Sequence, residues 1–312
     1  MTKSWLLALV LGFAVGGNAF AAKKELWVYT SIYKEYATPL AAAFEAKHPE
    51  YSVQVFQGGS EKIQAKIEAE LVAGKPQADI LLTSDPFWSA DLEKRGVALA
   101  KPEKNYYSVM VLIAHQSVPS EQRPKSFVEL TEPRFDRMIQ SPSPLESGTA
   151  FSTVALLSRK YSWEYIRKLA GNHLASAGGN SSVIQKVESG EKKIGIVLLE
   201  NALAAKKRGS PIDVIYPADG AIPIPSVQVR LKGSGNPEGA AKFAGFVLSA
   251  EGQGLLRNGY MYSVRKDVGA PEGAPTYQDV VKRSVPWDAA LIQEVAAQSK
   301  EIKKRFAALV LD

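Results

Sequence analysis

Cysteine is absent from all 312 residues. No disulfide can staple this chain and no thiolate can act as nucleophile or metal ligand, so stability has to come from a buried core. Histidine is scarce. His48, His115 and His173 lie far apart and share no ligand spacing, and His48 reads as a helix-end cap. The clustered histidines and carboxylates of a metallohydrolase are therefore missing. No G-x-S-x-G nucleophile elbow occurs, which removes the mark of an α/β-hydrolase. Paired carboxylates for glycoside chemistry leave no spacing to read, so a secreted hydrolase stays only as a remote alternative and the expectation is a protein that is not an enzyme. Positive charge is also thin on the ground. The net charge is +6, and the densest basic runs, Lys206-Lys207-Arg208 and Lys303-Lys304-Arg305, are three residues long and fit solvated helix faces. A mild basic bias of this kind attracts small anions but predicts no nucleic-acid partner. No internal repeat or low-complexity segment is present.

One apolar run stands at the start. Lys3 forms a basic n-region, Trp5 to Val15 an apolar stretch too short to cross a bilayer, and Asn18-Ala19-Phe20-Ala21 a small-x-small cleavage pattern. The sequence predicts a signal peptide over 1–21, cut after Ala21, and a periplasmic protein without lipid attachment. The mature charge is then +6 − 1 = +5. Length suggests roughly two domains.

Beyond the signal, a strand, a polar turn and a helix recur. Leu26 to Tyr29 reads as a strand, followed by Thr30-Ser31 and a helix from about Lys34 to His48. Ser52 to Phe56 alternates, Gly58-Gly59-Ser60-Glu61 starts a helix with Ile63, Ile67 and Leu71 on one stripe, and Ala78 to Leu82 is a buried strand before Thr83-Ser84-Asp85-Pro86. The long apolar strand Tyr106 to Ala114 leads into a second half. There the expected elements are a strand near Met138, the Ser147 turn, a helix over Trp163 to Leu169, the Gly178-Gly179-Asn180-Ser181-Ser182 turn and strand Ile194 to Val197. A helix near Glu200 to Lys207 and strand Val214 to Tyr216 complete that half. Ser226 to Val229 carries the chain back, and a last helix, Trp287 to Val310, is expected on the first lobe.

This grammar predicts α/β sheets, which bind ligands beyond the carboxyl ends of their strands. The stretch Ser141 to Leu156 is the most telling. Proline and serine end a strand, Ser147-Gly148-Thr149 follows, and an apolar helical run begins. A helix start offers unpaired N–H groups and the positive end of a dipole, a ready anion site. Each such turn alone is an ordinary cap, but the device recurs after several strands.

Leu26-Trp27-Val28-Tyr29-Thr30-Ser31, Gln57-Gly58-Gly59-Ser60, Ala78 to Thr83, Ile194 to Val197 and Phe246 to Gln253 together resemble the periplasmic solute-binding proteins of ABC importers, in the group holding ferric-iron, phosphonate and hexose-phosphate binders. The resemblance implies a two-lobed periplasmic binding protein fold (type II). Each lobe would be a mostly parallel sheet flanked by helices, and crossover strands would join the two. It places lobe 1 at 22–114, lobe 2 at 115–225 and the return to lobe 1 with C-terminal helices at 226–312. It further implies a monomer that binds without catalysis or cofactor and delivers its solute to a membrane permease.

The ligand class stays open between two readings. Ferric-iron members carry adjacent tyrosines where this chain reads Leu198-Leu199-Glu200-Asn201, and a hard trivalent cation wants several anionic oxygens. Tyr33, Tyr36 and Tyr107 are the candidates left for iron, with Tyr33 and Tyr36 read as one ligand-facing ring and one core ring. Against this stand neutral donors at helix starts: Ser31, Gly59, Ser60, Thr83, Ser84, Ser147, Gly148, Thr149, Asn180 and Ser181. Glu200, Asn201 and Asp219 are acceptors suited to hydroxyls or an amine, with Glu200 read equally as a solvated first-turn carboxylate. These residues and Tyr33 form the expected site of a phosphorylated or phosphonylated small molecule, with no metal. Micromolar affinity needs about 8 kcal/mol, while one helix dipole supplies roughly 0.3–1 kcal/mol and one charge-assisted hydrogen bond about 1.5–3 kcal/mol. Several turns from two facing lobes are required.

Overall fold

Strand β1 (Lys24–Thr30) shows why the sheet is covered on both faces. It sends Leu26 and Val28 into one apolar layer and Trp27 and Tyr29 into the other. A computed structural model describes residues 22–311, so the predicted signal peptide and the cut after Ala21 lie outside the described residues. Helix α1 (Lys34–Lys47) covers the first face through Leu40 and Phe44. Strand β2 (Tyr51–Gln57) follows, and helix α2 (Ser60–Val72) covers the opposite face with Ile63 and Ile67. Strand β3 (Ile80–Thr83) leads to helix α3 (Pro86–Lys94), whose Trp88 and Leu92 join the second layer. β1 lies between β2 and β3, parallel to both.

Strand β4 (Glu103–His115) then runs the length of the molecule. After three short 3-10 turns within Ser120–Phe135, the pattern repeats with β5 (Ile139–Ser141), α4 (Gly148–Gly171), β6 (Ala175–Ser176), α5 (Asn180–Glu188), β7 (Ile194–Leu198) and α6 (Leu199–Lys207). β5 lies between β6 and β7, parallel to both. Strand β8 (Ile212–Ile215) pairs with β4, and β9 (Ile222–Arg230) returns antiparallel to β3 and β4. Helices α7 (Pro237–Leu248) and α8 (Ala250–Asn258), strand β10 (Tyr262–Ser263), and helices α9 (Tyr277–Val281) and α10 (Ala289–Val310) finish the chain.

The sheet order is β2-β1-β3-β9-β4-β7-β5-β6. Two parallel triples thus flank a central antiparallel pair, β9 and β4. One half of β4 pairs with β9 and β10, and the other half with β7 and β8. This is the expected pair of lobes joined by crossover strands. Strand β9 begins at Ile222, four residues before the strand expected from Ser226. Pro223 and Pro225, which cannot donate to a ladder, stand opposite Val109 and Tyr107, beyond the end of β3 at Val227. On that side β9 has no neighbouring strand that asks for a donor.

Two further details depart from expectation. The helix expected over Trp163 to Leu169 is the second part of α4, joined to the first across a kink at Ser162, which has φ 67°. The last helix is not confined to the first lobe. α10 packs along both α3 and α4, and its Leu291, Val295, Ile302 and Phe306 enter the core with Phe87 of one half and Phe151 and Ile166 of the other. An apolar face this long finds enough partners only by spanning both halves.

Candidate functional site

The carboxyl ends of both parallel triples open on one cleft of about 570 Å³. Ser31 follows β1, Gly59 and Ser60 follow β2, and Ser84 follows β3. Across the gap stand Ser147, Gly148 and Thr149 after β5, Asn180 and Ser181 after β6, and Glu200 after β7. The topology aims every one of these turns at the same space, because all strands within a triple run the same way.

Four of the helix starts at this cleft lack a side-chain cap, while α3, which follows Ser84, is capped by Asp85. N-caps Tyr33 of α1, Gly59 of α2, Gly179 of α5 and Leu198 of α6 make no side-chain cap hydrogen bond. By contrast Asn236, Ser249, Thr276 and Asp288, which start α7 to α10 away from the cleft, each cap a backbone N–H with a side-chain oxygen. The unspent first-turn amides of α2 and α5 therefore face the cleft, and each carries the positive end of its helix dipole. α4 is intermediate: Ser147 Oγ accepts from Ala150 N–H at 3.3 Å.

Each wall is braced from behind. In the first half Ser84 N–H donates to Ser31 Oγ at 3.1 Å, and Ser84 Oγ lies 3.1 Å from the Tyr106 hydroxyl and 2.9 Å from Ser226 Oγ. Thr83 Oγ1 donates to Ser60 Oγ at 3.1 Å. In the second half Asn180 joins three helix starts. Its Nδ2 donates to Thr149 Oγ1 at 3.1 Å, and its Oδ1 accepts from Leu198 N–H at 3.1 Å. Where the walls meet, Ser181 Oγ donates to the Tyr33 hydroxyl at 3.3 Å.

Of the residues expected at the site, Ser31, Tyr33, Gly59, Ser60, Ser84, Ser147, Gly148, Thr149, Asn180, Ser181 and Glu200 line this cleft. Thr83 sits one layer behind it, used by Ser60. Asn201 lines an adjoining chamber of about 430 Å³ that shares Tyr33, Tyr36, Ser181 and Glu200 with the main cleft. Asp219 is a correction. It is not among the cleft-lining residues, and its carboxylate accepts from the amides of Phe127 and Val128, both at 3.1 Å, and from the Tyr161 hydroxyl at 2.7 Å. Three local donors hold it as a structural brace.

Gln57, Lys62, Glu146 and Tyr106 also line the cleft and escaped the sequence reading. Strand alternation was the available signal for Tyr106: its ring faces the cleft while Tyr107 packs on Tyr277 with ring centroids 4.6 Å apart. Tyr36 lines the cleft and also packs on the core beside α1, so it is both ring types at once.

Three carboxylates, Glu61, Glu146 and Glu200, and one lysine, Lys62, line the cleft, and Glu146 Oε1 accepts from the Gly178 amide at 3.0 Å. Glu61 pairs with Lys303 of α10 at 2.7 Å. Glu200 is only 6% exposed. Ser108 Oγ donates to its Oε1 at 2.5 Å, while Oε2 is buried with no partner. Burial pushes its carboxyl up to about 7, opposed by Ser108 and by the nearby amides of Glu200 and Val109. Asp85, buried under the cleft and capping α3 through Phe87 and Trp88, is pushed up to about 6 by desolvation. Burial likewise raises the phenols of Tyr33, Tyr36 and Tyr106, the last two to about 12, so these rings favour their neutral form. Among the described residues no group of three His, Asp or Glu side chains is placed to hold a metal ion, and none of the helices is long and apolar enough to cross a membrane. The three histidines lie off the cleft. His48 is the C-cap of α1, His115 contacts Ser117 and His173 contacts Asp136.

Two α/β lobes, two long crossing strands and a polar cleft between strand ends define a type II solute-binding protein. The family model described as bacterial extracellular solute-binding protein matches residues 26–260, and the chain belongs to that family. A protein of Haemophilus influenzae described as uncharacterized is 28% identical over 278 residues, 79% of each chain. Among solved structures, the periplasmic binding protein AfuA of Actinobacillus pleuropneumoniae, with exogenous fructose-6-phosphate bound, superposes with a TM-score of 0.82 at 20% identity, covering 93% of this chain and 99% of that one. Iron-bound HitA of Pseudomonas aeruginosa superposes with a TM-score of 0.78 at 20% identity, covering 91% and 99%. The chain is thus a solute-binding component of an ABC importer, and its family places it outside the cytoplasmic membrane, with a small-molecule ligand and a permease as its partners.

Proposed function

We propose that this protein captures a phosphorylated or phosphonylated small molecule by closing its lobes and hands it to the permease. The carrying observation is the set of uncapped helix starts facing the cleft from both walls, while α7 to α10 are all capped by side chains. Free amides and serine hydroxyls on opposing walls suit the oxygens of a tetrahedral anion. AfuA, similar in fold, was solved with a sugar phosphate, which supports a phosphoryl ligand on this scaffold. The jaws are the lobe of residues 22–114 with the return from Ile222, and the lobe of 115–221. One chain completes the cleft, which favours a monomer, and the ligand is anionic at the end that meets the helix starts.

Calorimetry against hexose phosphates, alkylphosphonates, inorganic phosphate and ferric citrate tests this. Heat with an organophosphate or phosphonate and none with ferric citrate is the expected result. Binding of iron with a visible tyrosinate charge-transfer colour, and no heat with any phosphoryl compound, would overturn it in favour of ferric iron.

A further inference from the structure

The main cleft carries Glu61, Glu146, Glu200 and Lys62, and what sets it apart from the adjoining chamber is its hydroxyls and backbone amides. The main cleft presents backbone amides and the hydroxyls of Ser31, Ser60, Ser147 and Thr149. The adjoining chamber is lined by three carboxylates, Glu35, Glu188 and Glu200, against one guanidinium, Arg208. Glu200 forms part of both, so it sits where one chamber gives way to the other.

Glu200 is a costly residue to leave as it stands. Taking a carboxylate out of water costs several kcal/mol unless a charge and enough donors compensate. Ser108 serves one oxygen only, and a hydroxyl brings no charge. Oε2 has no donor, and beside it in sequence the Oδ1 of Asn201 is also buried and unpartnered. Among the described residues no lysine or arginine makes an ion pair with Glu200. Two orphaned acceptors on consecutive residues at a cavity wall ask for a group that donates several hydrogen bonds and carries positive charge. An ammonium has three donors and no acceptor. It meets both requirements, whereas a ligand hydroxyl meets only the first.

We infer that the adjoining chamber is a subsite for a cationic nitrogen of the ligand, with Glu200 as its charge partner and Asn201 Oδ1 as a further acceptor, so that the solute is a zwitterion whose anionic end lies in the main cleft. The inference rests on the phosphoryl reading of the main cleft and names the other end of the same ligand. Glu200 is a specificity residue here: it discriminates an amine from a hydroxyl or a methyl at one position, because the group left opposite an unpaired buried carboxylate is penalised.

The test uses short ω-aminoalkylphosphonates, their ω-hydroxy counterparts and plain alkylphosphonates of equal length, titrated into the full protein and into Glu200→Gln. The expected result is that the amine binds at least tenfold more tightly than either isostere to the native protein. Glu200→Gln should lose that preference, with circular dichroism showing that the variant is folded. If all three probes bind the native protein alike, or if Glu200→Gln keeps the amine preference, the phosphoryl reading stands and the subsite is overturned. If the hydroxyl probe binds as tightly as the amine and both exceed the alkyl probe, Glu200 reads hydroxyls and the zwitterion is overturned. If no phosphonate binds at all, the phosphoryl reading itself fails and the subsite falls with it.

Discussion

Gly148, buried at the start of α4, packs against Ser60, buried at the start of α2. A Cβ on Gly148 would stand 2.8 Å from Ser60 Cβ, 2.9 Å from its Oγ and 3.0 Å from Asp85 Cβ. Ser60 is held in place by Thr83, and Asp85 by its cap. Neither can step aside without loss. The same holds for Gly59, whose Cβ would meet the carbonyl oxygen of Glu146 at 2.8 Å. Both glycines let one jaw approach the other.

Gly148→Ala is expected to weaken ligand binding at least tenfold without lowering stability. The position is helical, where alanine is favoured over glycine by about 1 kcal/mol. The clash belongs to the arrangement described, in which the two walls already touch here, and an unliganded form with the lobes apart would escape it. Calorimetry and thermal unfolding of the same preparation check this, and small-angle scattering should show that ligand no longer compacts the variant. Loss of thermal stability in parallel with affinity would place the glycine's role in folding instead.

Asn180→Ala should destabilise the protein by about 1–3 kcal/mol, because the Leu198 amide and the Thr149 hydroxyl lose a buried partner. Asn180→Asp keeps the acceptor for Leu198 and loses the donor to Thr149, and should recover part of the loss. Chemical denaturation monitored by circular dichroism reads both.

Glu200 sets a pH dependence whose sign follows from its raised carboxyl. The folded state holds a proton up to about pH 7, while the unfolded state releases it near 4.5. Between these values the native state binds more protons, so stability falls as pH rises. Asp85 acts in the same direction between 3.8 and about 6. The groups around Glu200 are Ser108, the neutral phenols of Tyr33, Tyr106 and Tyr262, and Glu35, Glu188 and Arg208 across the chamber. Glu200→Gln should flatten the fall in unfolding free energy between about pH 4.5 and 7, a change of at most about 3 kcal/mol. An unchanged profile would mean the carboxyl is not buried as described.

Tyr33→Phe removes the hydroxyl that meets Ser181 across the cleft. One neutral hydrogen bond contributes about 0.5–1.5 kcal/mol, so ligand release should speed up several-fold with little change in association. Stopped-flow fluorescence separates the two rates. Equal effects of Tyr33→Phe on both rates would show that the contact forms before the lobes close.

Much of the scaffold was readable because it is local. The alternation in Leu26 to Tyr29, the stripe Ile63, Ile67 and Leu71, and the serine and glycine turns after each strand follow from backbone periodicity and cap chemistry within a few residues. Such signals also pointed to eleven of the cleft-lining residues, since parallel strands bring their ends together. Asp219 misled for a physical reason. A carboxylate in a proline-flanked loop looks free in sequence, yet Phe127, Val128 and Tyr161 reach it from distant segments. Tyr106 was missed because alternation separates it from Tyr107 without saying which of the two faces points at the cleft.

The sequence alone determined the α/β grammar, the cysteine-free core and the repeated donor turns, all of which depend on neighbours along the chain. Only the tertiary structure decided what each turn faces. Ser108 and Glu200 are 92 residues apart, and the burial that raises this carboxyl exists only once β4 and α6 pack together. The meeting of Gly148 with Ser60, and of α10 with both lobes, is likewise a product of packing, because apolar faces choose partners by shape and area and leave no mark of that choice in the local pattern.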